Sequence, residues 1–150
     1  MDMNSYVTGL VEGEGCFCIS FNLRTKLNTN IEVRPSFSIS QNQKNLELIK
    51  LIKNFFGCGA IRYSKHDRCY KYEIRNLDNL MKTVNIHFQN YPLIGSKKHD
   101  FENFTLICKM MKSNLHKNKD QLEKIIDLAY QINCGKRKYQ KSFLLKKIAK

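Results

Sequence analysis

Tryptophan is absent from this chain, and acidic residues are scarce: 13 Asp and Glu stand against 26 Lys and Arg. No apolar run approaches the roughly 18 residues a membrane-spanning helix needs, so neither a span nor a membrane partner is expected. The opening Met1-Asp2-Met3-Asn4-Ser5 has no basic stretch followed by an apolar one, so no signal or transit peptide is read there. The six cysteines, at 16, 18, 58, 69, 108 and 134, form no CxxC pair and no zinc spacing. Cys16 and Cys18 would share one face of a strand, but no histidine lies near them in sequence. Six reduced thiols acting as small hydrophobes fit better, and they imply a reducing, intracellular compartment. Heavy use of Lys, Asn and Ile beside the missing Trp is the usage of an AT-rich genome, often an organelle's, and points to synthesis inside a mitochondrion or chloroplast.

What is present suffices for one domain over residues 1–150. Folding at this length buries about 70% of the unfolded surface, so no disulfide or structural metal is needed. With 42% hydrophobic and 11% aromatic residues the chain is too apolar to be disordered. The net charge of +13 and a pI near 9.6 repel themselves and attract a polyanion. Binding to a membrane surface would need basic and apolar residues segregated on one amphipathic helix. Here the positive charge is spread along the chain, which favours nucleic acid; a solvated basic protein without such a partner is the plainer alternative.

The patterning predicts a short helix over 4–12, capped by Asn4 or Ser5, then a break at Gly13-Glu14-Gly15. Residues 16–24 alternate, with Phe17, Ile19, Phe21 and Leu23 on one face and Cys16, Cys18, Ser20, Asn22 and Arg24 on the other. Residues 31–40 do the same, and the polar loop Thr25–Asn30 joins the two as a hairpin. Pro35 cannot donate to a ladder and argues for an edge or a bulge. A helix over 42–56 stopping at Gly57, a second hairpin over 59–64 and 69–75, and a helix from Asn76 to about Phe88 ended by Tyr91-Pro92 follow. Helices near 99–114, 118–133 and 141–149 complete the chain. The order α-ββ-α-ββ-α plus C-terminal helices makes an α+β domain with an antiparallel-rich sheet, apolar on one face and polar on the other.

Within Val7-Thr8-Gly9-Leu10-Val11-Glu12-Gly13-Glu14-Gly15, Gly9 and Gly13 lie four apart, on one side of a helix. Glycine costs up to about 1 kcal/mol inside a helix, so its placement asks for a reason, and close approach of another helix supplies one. Glu12 and Glu14 stand at the helix C-terminus, where the dipole is already negative. A solvated surface pair is one reading of this Glu-x-Glu. In the other, two copies of the helix pack through the glycines and bring both Glu14 carboxylates together. At about 4 Å such charges repel by roughly 4 kcal/mol at an effective dielectric near 20, which a divalent cation or a raised pKa relieves. Oxygen ligands suit Mg²⁺, and a bridging metal beside a polyanion-binding sheet is a layout for phosphodiester cleavage.

The stretch VTGLVEGEG, followed at once by an alternating strand, resembles the LAGLIDADG motif of homing endonucleases. Gly9, Leu10, the acids at 12 and 14 and Gly15 match, with Glu at both acid positions where the family more often has Asp. The element order is also similar, so the likeness spans about 4–115, with a helical region over about 116–150. The resemblance implies a curved sheet forming a DNA-binding saddle with helices on its other face, and a site-specific endonuclease making a staggered double-strand break at a long, near-palindromic target to promote intron homing. It implies a dimer interface formed by Val7, Gly9, Leu10, Glu12 and Gly13, with Glu14 as the metal-binding acid, the Gly13 carbonyl beside it and Glu12 structural. Gln41 and Lys97 resemble the family's active-site polar and basic residues. On the residues alone, Gln41 also reads as a helix-start residue and Lys97 as a solvated basic turn, with Lys98 one position away. Mg²⁺ or Mn²⁺ is the implied cofactor, and Ca²⁺ is expected to support binding without cleavage. The chain has one such motif; single-motif members act as homodimers, which read palindromic or near-palindromic sites.

A two-stranded ribbon fits the major groove, so the polar face supplies DNA-binding candidates: Ser20, Asn22, Arg24, Lys26, Asn28, Asn30, Glu32, Arg34, Ser36, Ser38, Ser40, Arg62, Ser64, Lys65, Arg68 and Lys71. Arg24, Arg34 and Arg62 can pair with guanine, Asn22 with adenine, and Glu32 can accept from cytosine; any one of them can instead face solvent. The loop Lys26–Asn30 is expected at the outer end of the half-site. The Lys-rich C-terminal third, Lys117, Lys119, Lys136, Arg137, Lys138 and Lys141, is expected at phosphates. Double-stranded DNA is the expected partner. A maturase acting on RNA and a non-cleaving DNA-binding protein of the same fold are the alternatives.

Overall fold

In the computed structural model, which describes residues 1–148, the order is α1 (Met3–Glu14), β1 (Gly15–Leu23), β2 (Ile31–Asn42), α2 (Leu46–Phe56), β3 (Ala60–Ser64), β4 (Cys69–Ile74), α3 (Leu77–Asn79), a π turn (Leu80–Val84), α4 (Asn85–Asn90), α5 (Lys97–Lys112), α6 (Lys119–Ala129) and α7 (Lys141–Lys147). The strands hydrogen-bond in the order β1-β2-β4-β3, with β4 antiparallel to both neighbours. The expected α+β class with an antiparallel sheet is what folds. No helix among the described residues is long and apolar enough to cross a membrane. All six cysteines are reduced, and no described group of three His, Cys, Asp or Glu side chains could hold a metal. The end of the helix expected over 141–149 lies outside the described residues.

The chain divides into two compact units. The first comprises Met1–Cys16 and Ser36–Lys98, the second Phe17–Pro35 and His99–Lys150. In the first, Phe37 meets Phe56 at 5.6 Å and Phe88 at 6.0 Å between ring centroids, with Val7, Val11, Ile39, Ile49, Ile52, Tyr72 and Ile74 buried. In the second, Phe17 lies 5.5 Å from Phe101 and 5.4 Å from Phe104, with Ile19, Ile125 and Ile126 buried. Strand alternation places Phe17, Ile19, Phe37 and Ile39 inward, as found, whereas Leu23 on the same expected face is 38% exposed near the end of β1.

Several boundaries move for local reasons. Asp2, not Asn4 or Ser5, caps α1: its carboxylate accepts from Asn4 N at 3.0 Å and Ser5 Oγ at 2.6 Å, and a charged acceptor suits the helix N-terminus. The expected break at 13–15 is absent. α1 runs to Glu14, and β1 starts at Gly15, whose N–H closes onto the Val11 carbonyl. A Cβ at Gly15 would sit 2.5 Å from Val11 Cγ1, so only glycine permits this direct helix-to-strand turn. Pro35 lies on an inner strand, not an edge; it is tolerated because pairing to β4 begins at Phe37. The helix expected over 76–88 is interrupted by the π turn, where Thr83 Oγ1 donates to the Asn79 carbonyl at 2.6 Å and competes with the helical ladder.

Candidate active site and nucleic-acid interface

α1 has two unlike sides. Val7 and Val11 are fully buried in the core of the first unit, so Val7 has no surface left for a second chain. Gly9 and Gly13 are exposed, and a Cβ at either would meet nothing within 4 Å. No steric demand among the described residues explains the two glycines, and Leu10 beside them is half-buried. The inward side is fastened to the segment following α4. Thr8 Oγ1 donates to the Tyr91 carbonyl at 2.9 Å and lies within hydrogen-bond distance, 3.0 Å, of His87 Nε2.

At the helix end the two acids part company. The Glu12 carboxylate accepts from the backbone N–H of Ile94 at 2.7 Å and of Gly95 at 3.1 Å, which fixes the turn before α5. Lys97, the first residue of α5, then donates from Nζ to the Glu12 carbonyl at 3.1 Å. A cation there is favoured by the helix dipole and satisfies a last-turn carbonyl. Glu14 remains exposed at the last position of α1. Glu12 is thus a clip within its own chain, and through it the Lys97 ammonium is held at the end of the helix that bears Glu14. Gln41 lies inside β2, not past it, opposite Tyr70, with its side-chain carbonyl accepting from Asn45 Nδ2 at 3.0 Å. A carboxylate and last-turn carbonyls are hard oxygen donors of the type Mg²⁺ and Ca²⁺ take. One chain supplies only part of such a set.

On the polar face of the second unit, Glu32 is the hub. Arg24 Nη1 bonds it at 2.7 Å and Arg34 Nε lies 3.7 Å away. The Arg24 guanidinium first, with Asn22 and then Arg34 adding, holds the Glu32 carboxyl below its ordinary range against the opposing effect of burial. Ser20 Oγ donates to the Arg34 carbonyl at 3.4 Å. Arg24, Lys26, Asn28 and Arg34 are exposed and Asn22 is half-buried. Asn30 is a turn residue, with φ of 66° and Nδ2 donating to the Lys147 carbonyl at 3.3 Å.

In the first unit, Ser40, Arg62, Ser64, Lys65 and Arg68 are exposed, and Ser36 and Lys71 half-buried. Ser38 is only 7% exposed and stands directly across the ladder from Glu73. Glu73 and Arg75 were not among the predicted residues. Glu73 is 8% exposed and gathers Arg62, Lys71 and Arg75 around it. Alternation could have found both, since 71, 73 and 75 share one face of a strand. Of the C-terminal cations, Lys117, Lys119, Lys136, Lys138 and Lys141 are exposed, but Lys141 is paired with Asp127 at 2.7 Å. Arg137 is turned inward instead of toward phosphates. Its guanidinium donates to the carbonyls of Ile19, Ala129 and Ile132 and covers the Tyr130 ring at 4.7 Å.

The sequence model of the LAGLIDADG endonuclease family matches residues 7–108. The probable intron-encoded endonuclease 3 of Neurospora crassa is 28% identical over 129 residues, 85% of this chain and 24% of that protein. The chain therefore spans about a quarter of that relative's length. The crystal structure of the homing endonuclease I-TnaI superposes with a TM-score of 0.86 at 33% identity, covering 96% of this chain and 94% of that one. I-SmaMI, a LAGLIDADG homing endonuclease bound to cleaved DNA, superposes with a TM-score of 0.85 at 30% identity, covering 90% of this chain and 45% of that one. I-SmaMI has also been crystallised on its uncleaved DNA target in the presence of calcium ions.

Proposed function

Because this chain belongs to the LAGLIDADG endonuclease family, we propose that it pairs with a second copy of itself and cuts double-stranded DNA at one long, near-palindromic site, with Mg²⁺ or a similar divalent ion. The observation that carries the reading is the Glu12 clip. It keeps the Lys97 ammonium 3.1 Å from the end of the helix on which Glu14 stands exposed.

The division of labour follows from the chemistry of each group. Gly9 and Gly13, open to solvent, admit the same helix of another copy. That pairing brings the two Glu14 carboxylates together, and with the Gly13 carbonyl they hold the ion. Bound there, a divalent ion would supply the positive charge that activates water and offsets charge building on the phosphate. Lys97 adds a positive charge near the developing phosphorane, and Gln41 orders solvent at the scissile phosphate. The exposed arginines of the two hairpins read base edges, and the exposed lysines meet phosphates. The match covers 45% of I-SmaMI, about the share that one of two pairing copies would fill, which supports the pairing. Relatives named as intron-encoded support an origin in an intron, and the AT-rich residue usage supports an organellar one.

The test is incubation of purified protein with Mg²⁺ and a plasmid library carrying randomised duplex inserts, followed by sequencing of the cut ends. The expected result is staggered breaks at one near-symmetric motif, lost on chelation. Intact plasmid at every protein and metal concentration would overturn the proposal.

A further inference from the structure

The β3–β4 face of the first unit carries one covered carboxylate beneath three projecting cations. Glu73 is 8% exposed, while Arg62, Arg75 and Lys71 keep 54%, 51% and 44% of their side chains in solvent. Arg62 donates from Nη2 to Glu73 Oε1, Arg75 Nε reaches the same oxygen at 2.8 Å, and Lys71 Nζ stands 3.7 Å from Oε2. The ladder makes this possible. Ala60 lies opposite Glu73 and Arg62 opposite Lys71, so β3 offers only a methyl group beside the carboxylate and the arginine reaches it diagonally. Gly59, at a φ of 92°, lets β3 start this close, since a Cβ there would come within 2.7 Å of the Tyr72 ring and 2.8 Å of the Glu73 carbonyl. A recess of about 250 Å³, lined by Gly59, Ala60, Arg62, Glu73 and Arg75, opens onto the cluster.

Building on the DNA-cutting reading above, we infer that Glu73 is a positioning residue that holds Arg62 and Arg75 side by side to read guanine edges in the major groove. The bond through Nε leaves both terminal nitrogens of Arg75 for an outside pair of acceptors, and guanine O6 and N7 are such a pair. The carboxylate also selects against the backbone. A phosphate drawn to these guanidiniums would face the Glu73 charge a few ångströms away, whereas a base edge carries no net charge. Free arginine side chains lose conformational freedom when they bind. Tethering to Glu73 removes part of that freedom beforehand.

Selection from a randomised duplex library, run in parallel on wild type, Glu73→Gln, Arg75→Ala and the double variant, reads this directly, with thermal melting of each variant as the check on folding. Glu73→Gln and Arg75→Ala are each expected to lose about tenfold in preference for guanine at the same one or two positions, the value of one good bidentate contact. The double variant is expected to be no worse than Arg75→Ala. Undiminished guanine preference in Glu73→Gln overturns the inference, as does uniform weakening of all sequences, which is the signature of phosphate contacts. If Glu73→Gln does not fold, Arg75→Lys on its exposed side chain decides: lysine offers no planar fork, so it must lose the same preference, and retention sinks the idea. Enrichment of no motif by wild type removes the DNA reading itself, an outcome distinct from both.

Discussion

The two hairpins carry the same device built to different depths. In β1–β2, Glu32 joins Arg24 and Arg34 with 28% of its side chain in solvent; in β3–β4, Glu73 joins Arg62, Arg75 and Lys71 with 8%. A carboxylate in contact with water shares its partners with solvent and salt, and such surface pairs contribute about 0–1 kcal/mol. A covered one is screened from water by the arginine side chains themselves, so its partners exchange for water only when those side chains swing away together. The difference teaches that an ion pair on a binding face can be a loose tether or a fixed mount, and that burial of the anion decides which.

The largest expected effect lies outside both hairpins and tests whether they read while α1 cuts. Glu14→Gln should lower the cleavage rate by about a thousandfold while the Kd for duplex moves little, measured by plasmid nicking and gel shift. Cleavage near the wild-type rate would leave the hairpins with no separate reading role to compare. Next comes the direct contrast of the two carboxylates. Against the roughly tenfold loss of base preference for Glu73→Gln, Glu32→Gln should lose about twofold, since its tether is already weak; equal losses would break the contrast.

Arg137→Ala sharpens it from the other side, because here a guanidinium serves the fold alone. Leaving its carbonyl partners unpaired should cost about 2 kcal/mol, read as a drop in Tm without a change in motif. A smaller effect is set by pH. Burial lowers the pKa of His87 from its ordinary 6.5, so as pH falls through 6.5 the unfolded chain takes up a proton that the folded one refuses. Stability of the first unit should therefore decline below pH 6.5 and be level above it, by chemical denaturation at several pH values; His87→Gln should flatten the decline. The smallest effect is ionic. A double-mutant cycle on Arg24 and Glu32 should give about 0.5 kcal/mol at low salt and nothing at high salt, whereas the Arg75–Glu73 coupling should persist.

Much of this was legible because local rules carried it. The alternation of 16–24 and 31–40 placed Phe17, Ile19, Phe37 and Ile39 inward, as found, since strand period alone decides face. The Gly-x-x-x-Gly spacing and the paired acids mark α1 in the sequence alone. Glu32, read as a cytosine acceptor, is also held by arginines eight residues before it and two after, a pairing that depends on hairpin register. Arg137, read as a phosphate contact, is turned inward by carbonyls on β1 and α6 that no local pattern links to it. The π turn is invisible to helical periodicity, because its local signal is one hydroxyl, Thr83, donating to one carbonyl.

By itself the sequence determined the class of fold, the attraction to a polyanion and the helix that bears the acids, because composition and periodicity act on each residue where it stands. Only the tertiary structure decided which acid clips and which is left exposed, that Lys97 meets the carbonyl of Glu12, and that Glu73 is covered while its arginines project. Those outcomes depend on groups 85 residues apart in one case and on strand register in the other, and such contacts exist only once the chain has closed on itself.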